Sequence, residues 1–376
     1  MKILFAGGGT AGHINPALAI ADYVRRRQPD AKILFVGNKG GMEERLVPQA
    51  GFDFKTISVQ GFKRKISFSG IKENIVTVRK AISAGKESKK IIKEFGPDIC
   101  VGTGGYVSGP VLRAAAQLGI PTIIHEQNAF PGVTNKMLAK KAKRVMLAMP
   151  AARDHFKGNY NFVETGNPVR YEVLNEEKQD ARKKLGLDSR PVILSFGGSL
   201  GARKINESLA DIIARSAKDG KYQHIHAYGQ YSKWFPGMLE DKGVDLSQAK
   251  NLDIREYIND MPVCLAAADL VIARAGAITL SEIEVQGKPS ILIPSPNVAE
   301  NHQYHNAMSL VNREAAAIIE EKDLTPEVLT ELIDSLAGDP EKLRVYSENA
   351  AAMGVRDSTK RIYSVIIDVI ASSKTS

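Results

Sequence analysis

Three glycine-rich tracts follow short apolar runs, and each pairs main-chain amides with a side chain able to do chemistry. The first, Gly7-Gly8-Gly9-Thr10-Ala11-Gly12-His13, ends in an imidazole, which ionises near neutrality as a residue type and serves as a general base beside a hydroxyl. The second, Gly102 to Pro110, carries Tyr106 and Ser108. The third, Gly197-Gly198-Ser199-Leu200-Gly201-Ala202-Arg203, puts the Ser199 hydroxyl near an expected helix start, with Asn206 a turn further on. Glycine lets the backbone approach a ligand closely, and a helix start leaves N–H groups for an anion or a sugar hydroxyl. A purely structural tight turn would use the same glycines.

Polar side chains gather at other strand ends. His125-Glu126-Gln127-Asn128 follows Thr122 to Ile124, and Arg274 to Glu282 follows Leu270 to Ile272. A helix entered near Ala277 would offer amides to a phosphate, and Glu282 would accept two hydrogen bonds from a ribose diol or serve only in an ion pair. Asn301-His302-Gln303 could bond sugar hydroxyls or form an exposed polar loop. Several chemistries are disfavoured. Gly7, Gly9 and Gly12 fit GxGxxG, yet the second strand ends Val36-Gly37-Asn38 with no acid for a cofactor ribose, the next being Glu43. No Walker lysine follows the third tract, no histidine has zinc-ligand spacing, and there is no GxSxG elbow.

Strands and helices alternate, with strands at Ile3 to Ala6, Ile33 to Val36, Ile99 to Val101 and Thr122 to His125, then again from Val192 to Phe196 onward. A helix is expected from Pro16, in its first turn, to Arg27. The restart predicts two α/β domains with parallel sheets and ligands at the carboxyl ends of the strands. Their expected bounds are 1–165 and 166–341, followed by C-terminal helices over 342–376 that pack near the junction. The 376 residues, 43% hydrophobic and 25% charged, fit a globular chain of about two domains. Cys100 and Cys264 lie in apolar stretches, which argues against a disulfide framework. No apolar run spans a bilayer, and no signal-peptide pattern follows Met1, so a cytosolic chain is expected.

The net charge of +9 is concentrated. Between Gln60 and Phe95 ten Lys/Arg, among them Lys63, Arg64 and Lys65, face three acids, and Phe62, Ile66, Phe68, Ile71 and Ile75 are interleaved. That mixture favours an anionic membrane surface over a merely solvated face, and no motif supports nucleic acid.

The segments GGGTAGHINPALAIA, GTGGYVSGP, HEQNAFPGVTNK, GNPVR, SFGGSLGARKIN, RAGAITLSEI and NHQYHNA, in this order and spacing, resemble those of the MurG family along essentially the whole chain. These are UDP-N-acetylglucosamine:undecaprenyl-diphospho-muramoyl-pentapeptide N-acetylglucosaminyltransferases. The resemblance implies a GT-B fold, two Rossmann-like domains facing across a cleft, and peptidoglycan synthesis as a peripheral enzyme on the cytoplasmic face of the cell membrane, without a bound cofactor or metal. Its partners would be UDP-N-acetylglucosamine and the lipid-linked muramoyl pentapeptide (lipid I), and its product lipid II.

Carried onto this sequence, the resemblance implies that Ser199 and its loop meet the donor diphosphate, Ile258 lies by the uracil, and Ala277, Ile278, Thr279, Leu280 and Ser281 lie by the phosphates. Glu282 would bind the ribose, Gln303 the sugar, and Asn206 would line the same pocket. Thr10, Ala11, Gly12, Asn128 and Arg170 match donor contacts from elsewhere, and His13, Tyr106 and Glu126 match residues of acceptor binding or catalysis. Ala11, Leu200 and His302 stand where some members of the family have glycine, glutamine and a second glutamine. Inversion at the sugar in one displacement needs a base for the acceptor hydroxyl and a stabiliser for the leaving UDP. His13 is the preferred base, Glu126 its rival, and an orienting role for His13 a third reading. With no Asp-x-Asp motif, activity is expected to survive a chelator. A sugar-nucleotide 2-epimerase, a transferase acting on diacylglycerol and a non-catalytic sugar-nucleotide sensor are the competing classes.

Overall fold

Strand β1 (Lys2–Gly7) divides its side chains by parity. Ile3 and Phe5 join a cluster with Ile14, Ile20 and Val24 of helix α1 (Ala11–Arg27), whereas Leu4 and Ala6 join Val107, Val111 and Leu112 of α4 (Gly105–Gln117). A strand buried on both faces belongs in a parallel sheet covered by helices on either side. The computed structural model describes residues 1–59 and 83–374, and the chain divides into two units: Met1–Pro168 with Asp357–Ser376, and Val169–Arg356.

The first unit contains a seven-stranded sheet whose order is β3 (Asp53–Ile57), β2 (Lys32–Asn38), β1, β4 (Ile99–Gly104), β5 (Thr122–Glu126), β6 (Arg144–Leu147) and β7 (Phe162–Glu164). All its pairings are parallel. The strand order reverses between β1 and β4; His13 lies in the first turn of α1, which leaves β1, and the Gly102 tract runs from the end of β4 into α4. α2 (Glu43–Gln49), residues 83–95 as α3, and α5 (Val133–Leu138) complete the described helices before residue 150.

The second unit repeats the order with six parallel strands: β10 (Leu252–Arg255), β9 (Gln223–Ala227), β8 (Val192–Phe196), β11 (Leu270–Ala273), β12 (Ser290–Leu292) and β13 (Ala316–Ile318). Its reversal point lies between β8 and β11. Helices α8 (Arg203–Asp219) and α11 (Ala277–Val285) leave these two strands, so both helix N-termini arise at the carboxyl ends of neighbouring strands, where ligands of such sheets bind.

Three expectations shift. Helix α1 starts at Ala11, not Pro16, and Pro16 lies inside it, its ring forgoing only the bond to the Gly12 carbonyl. The division between units falls at 168/169. The expected C-terminal block 342–376 also divides: α14 (Pro340–Met353) belongs to the second unit and α15 (Ser358–Lys374) to the first. On α15, Ile362, Val365, Ile366, Val369 and Ile370 form one buried stripe that joins the α1 cluster, and Gln28 donates from Nε2 to the Tyr363 hydroxyl at 3.0 Å. Five such side chains contribute on the order of 10 kcal/mol of gross apolar burial, which explains why the chain returns to its first unit. Cys100 and Cys264 are buried and free.

Of the basic stretch, Lys63, Arg64, Lys65, Lys72, Arg79 and Lys80, with Phe62, Ile66, Phe68, Ile71 and Ile75, lies outside the described residues. Lys86, Lys89, Lys90 and Lys93 fall on α3. No described helix is long and apolar enough to cross a membrane.

Candidate active site

In the first unit, β1 delivers Gly7 to Thr10 into the start of α1, which raises His13 beside the end of β4. The His13 Nδ1 lies 3.0 Å from the Thr103 carbonyl oxygen and 3.3 Å from Gln127 Oε1, and Thr103 Oγ1 donates to the His13 carbonyl at 2.7 Å. His13 is half-buried, while Thr10, Ala11 and Gly12 are exposed. The glycine loop already holds an anion. Glu43, fully buried at the start of α2, accepts the Gly9 N–H at 3.2 Å through Oε2 and the Asn38 N–H at 2.9 Å through Oε1. Tyr106 covers the same loop, with its ring against Gly9. Burial and the Glu43 charge push its phenol above the ordinary value, and an Asn38 side-chain hydrogen bond partly opposes them, so Tyr106 is a neutral donor.

Glu126 faces inward. Its Oε1 accepts from the Asn128 N–H at 3.0 Å and from Asn128 Nδ2 at 3.1 Å, and its Oε2 from the Gly132 N–H at 3.1 Å and Asn135 Nδ2 at 2.8 Å. Four donors on a carboxylate only 1% exposed make it the organiser of residues 126–135. The carboxylate expected as the rival base thus accepts four hydrogen bonds within its own loop, two of them from Asn128.

In the second unit, β8 leads through Gly197 to Ala202 into α8. A Cβ on Gly201 (φ +87°) would lie 2.3 Å from the Tyr228 carbonyl oxygen, so only glycine lets this loop pack against residues 228–231. Gln230 and Tyr231 donate their N–H groups to the carbonyls of Ser199 and Leu200 at 3.2 and 3.0 Å, and Asn206 Nδ2 donates to the Tyr228 carbonyl at 2.8 Å. Asn206 is wholly buried, so it acts from beneath the loop by tying it down. Neither α8 nor α11 has a side-chain N-cap, and among the described residues no carboxylate accepts the amides of 197–199.

Glu282 lies on α11 with Oε1 accepting from Arg170 Nε at 2.8 Å. Burial raises its pKa, which the Arg170 charge and hydrogen bond partly offset. Ile258, Ala277, Leu280 and Ser281 are buried, so the first three have little but backbone to offer a ligand; Ile278 and Thr279 are half-buried. Gln303 lies in the first turn of α12 (His302–Val311), with Oε1 accepting the Ser295 N–H at 2.8 Å.

In the first unit His13, Tyr106 and the glycine tract of residues 7–12 come together at the sheet's reversal point; in the second the Ser199 loop and α11 leave the two strands at that point, with Glu282 a turn further along α11 beside Arg170. Sequence reasoning missed Glu43 as the loop's anion and the partners of His13, and it passed over Arg274. That guanidinium donates from Nη1 to the carbonyls of Ile293 and Pro294, each at 3.1 Å, and pairs with Glu321, tying β11 to the end of β12. Among the described residues no cluster of His, Cys, Asp or Glu could hold a metal.

The glycosyltransferase family 28 N-terminal domain model matches residues 3–147 and the family's C-terminal domain model residues 192–362. An Acetivibrio thermocellus UDP-N-acetylglucosamine–N-acetylmuramyl-(pentapeptide) pyrophosphoryl-undecaprenol N-acetylglucosamine transferase is 47% identical over 98% of both chains. The same-named protein of Thermoanaerobacter sp. is 45% identical over 97% of this chain and 99% of its own. The crystal structure of MurG from Acinetobacter baumannii superposes with a TM-score of 0.76 at 28% identity, covering 98% of this chain and 99% of that one. The GT-B expectation and the resemblance read from the seven segments both hold, and the chain belongs to glycosyltransferase family 28, among its MurG-type N-acetylglucosamine transferases.

Proposed function

We infer that the chain transfers N-acetylglucosamine from UDP-N-acetylglucosamine to the 4-hydroxyl of the MurNAc unit of undecaprenyl-diphospho-MurNAc-pentapeptide, with inversion, forming lipid II for peptidoglycan synthesis. The observation that carries the assignment of roles is the difference between the two glycine loops. Glu43 is already the anion at the first, which favours neutral sugar or acceptor groups there. At the second, no carboxylate among the described residues accepts the amides of 197–199, and α8 and α11 begin at adjacent strand ends, which suits a diphosphate.

His13 then takes the proton of the acceptor hydroxyl at Nε2 as that oxygen bonds to the anomeric carbon. The bond from this carbon to the UDP oxygen breaks in the same step, with its electron pair leaving on UDP. The amides of 197–199 and of the first turn of α11, with the Ser199 hydroxyl, meet the charge that develops on the diphosphate. Glu282 holds the ribose, and the Gln303 amide, fixed through Oε1, offers Nε2 to the sugar. Arg170, bonded to Glu282, favours the ionised form of that carboxylate against its burial. Thr10, Ala11, Gly12 and Asn128 contact the donor sugar, and Tyr106 the acceptor. The protein works on the cytoplasmic membrane face, held peripherally by the basic and apolar stretch around Lys63, Arg64 and Lys65.

Incubating the protein with labelled UDP-N-acetylglucosamine and the muramoyl-pentapeptide lipid tests this. The label is expected in the lipid as a β-linked disaccharide only when the acceptor is present. Isomerised donor without acceptor would mean an epimerase, and binding without conversion a sensor.

A further inference from the structure

The side chains behind His13 form a chain of hydrogen bonds whose donor and acceptor roles are fixed from its far end. Gly166 offers a carbonyl oxygen, which only accepts, 3.0 Å from His125 Nε2, so that nitrogen carries hydrogen. His125 is wholly buried, and burial lowers its pKa, so the ring is neutral and Nδ1 keeps its lone pair. The Gln127 amide nitrogen lies 3.1 Å from this Nδ1, and also 2.9 and 3.1 Å from the carbonyl oxygens of Thr103 and His125. An end surrounded by three acceptors must be the NH₂ end, since the reversed amide would set its oxygen against two carbonyl oxygens. Gln127 Oε1 therefore faces His13 Nδ1, which meets a second acceptor in the Thr103 carbonyl. Asn167 Nδ2 donates to the Gln127 carbonyl at 3.1 Å and anchors the segment.

We propose that Gln127 and His125 are positioning residues that hold His13 as its Nδ1–H tautomer and so present Nε2, with its lone pair, as the proton acceptor; this rests on the reading of His13 as the base. A neutral imidazole has one N–H, and placing it on Nε2 would leave the Nδ1 lone pair against two acceptor oxygens. The same two acceptors also fix the ring's rotation. Ring orientation by a hydrogen bond at the nitrogen remote from the chemistry is how a general base is kept in its productive tautomer.

The test is heteronuclear NMR of the imidazole nitrogens in the full chain, with the His13 signals assigned by their loss in His13→Ala, together with steady-state kinetics. In the parent protein His13 is expected to carry hydrogen on Nδ1 and a lone pair on Nε2. Gln127→Leu, which leaves the Thr103 carbonyl as the one remaining acceptor at Nδ1, should raise the share of the Nε2–H tautomer and lower kcat roughly 10- to 100-fold with the donor KM nearly unchanged, and His125→Leu should act in the same direction. His125→Asn, whose Oδ1 can accept where Nδ1 did, should retain the parental tautomer. An Nε2–H signature at His13 in the parent overturns the proposal, as does parental kcat in Gln127→Leu. The parent's spectrum does not depend on any variant folding. Parental kcat in His13→Ala would instead sink the base assignment while leaving the tautomer measurement standing.

Discussion

Glu43 accepts the Gly9 amide at 3.2 Å and the Asn38 amide at 2.9 Å, one on each carboxylate oxygen, so the first glycine loop is closed by an anion from its own chain. A Cβ on Gly8 would lie 2.2 Å from Glu43 Oε1, which is why the carboxylate can sit so close beneath the loop. Replacing Glu43 with alanine takes the partner from two half-buried amides, and each such group left unpaired costs up to about 1–3 kcal/mol. Glu43→Ala should therefore destabilise the first unit by about 2 kcal/mol or more. Urea unfolding followed by circular dichroism would register this, while fluorescence of Trp234, the single tryptophan and a residue of the second unit, should unfold at its parental midpoint. Coincident parental curves would remove Glu43 from the loop's support.

At the donor site the Arg170–Glu282 pair predicts a pH dependence. Burial raises the Glu282 pKa and Arg170 opposes it. Only the carboxylate accepts two hydrogen bonds from a ribose, so affinity for UDP-N-acetylglucosamine should fall as pH drops through this raised value, earlier than for an ordinary glutamate. Arg170→Ala removes the opposing charge and should move the loss of affinity closer to neutrality. Glu282→Ala should weaken binding by about 1–3 kcal/mol at pH 8 and abolish the acid limb. Calorimetric titrations between pH 8 and pH 5 decide it; an unaltered affinity in Glu282→Ala would take the residue out of the site.

What could be read from the sequence follows the burial of each element. The strands it marked are central ones with near-continuous apolar runs, such as Ile3 to Ala6 and Val192 to Phe196. The four edge strands β3, β7, β10 and β13 escaped, and so did the interior β6. Of these, β3, β7 and β10 mix polar and apolar residues, Leu252–Arg255 being intermediate in exposure throughout, β6 opens on a charged arginine, and β13 is only three residues long. The site shows a similar division. Glycine tracts and His13 are local signals, whereas the Gln127 partnership with His13 spans 114 residues and the Glu43 bond to Gly9 spans 34. The setting of Glu126 was not legible because residue type alone does not reveal that four donors surround its carboxylate. The C-terminal helices looked like one block because the stripe on α15 reads the same whichever sheet it covers.

The basic stretch bears on how the protein reaches a polyprenyl substrate. Each exposed CH₂ of such a lipid costs about 0.8 kcal/mol, so the enzyme has to come to the bilayer. Each lysine or arginine near an anionic surface adds about 1 kcal/mol, less when salt screens it. Changing Lys63, Arg64 and Lys65 together to glutamate should lower binding to anionic vesicles by tenfold or more and reduce turnover of vesicle-embedded acceptor. Donor affinity should stay at the parental value. Parental vesicle binding and turnover in the triple variant would assign these residues to a merely solvated face.

Two buried rings in the second unit predict its response to acid. His224 donates to or accepts from Ser216 Oγ at 2.9 Å, and His226 is likewise paired with Ser195 Oγ at 2.8 Å. His224 Nδ1 and His226 Nε2 are buried without a hydrogen-bond partner among the described residues. Burial holds both pKa values down at about 3, against about 6.5 in an unfolded chain. As pH falls below about 6.5 the unfolded chain takes up these protons and the native unit does not. Native stability is therefore full above that value and declines until about pH 3, by at most ~1.4 kcal/mol per pH unit for each ring. Chemical denaturation followed by Trp234 fluorescence should show the decline between pH 7.5 and pH 5. His226→Gln should lower stability at pH 7.5 yet flatten the decline, since the new side chain does not titrate. The same slope in parent and variant would mean that His226 takes up its proton in the native unit, and that the acid sensitivity arises elsewhere.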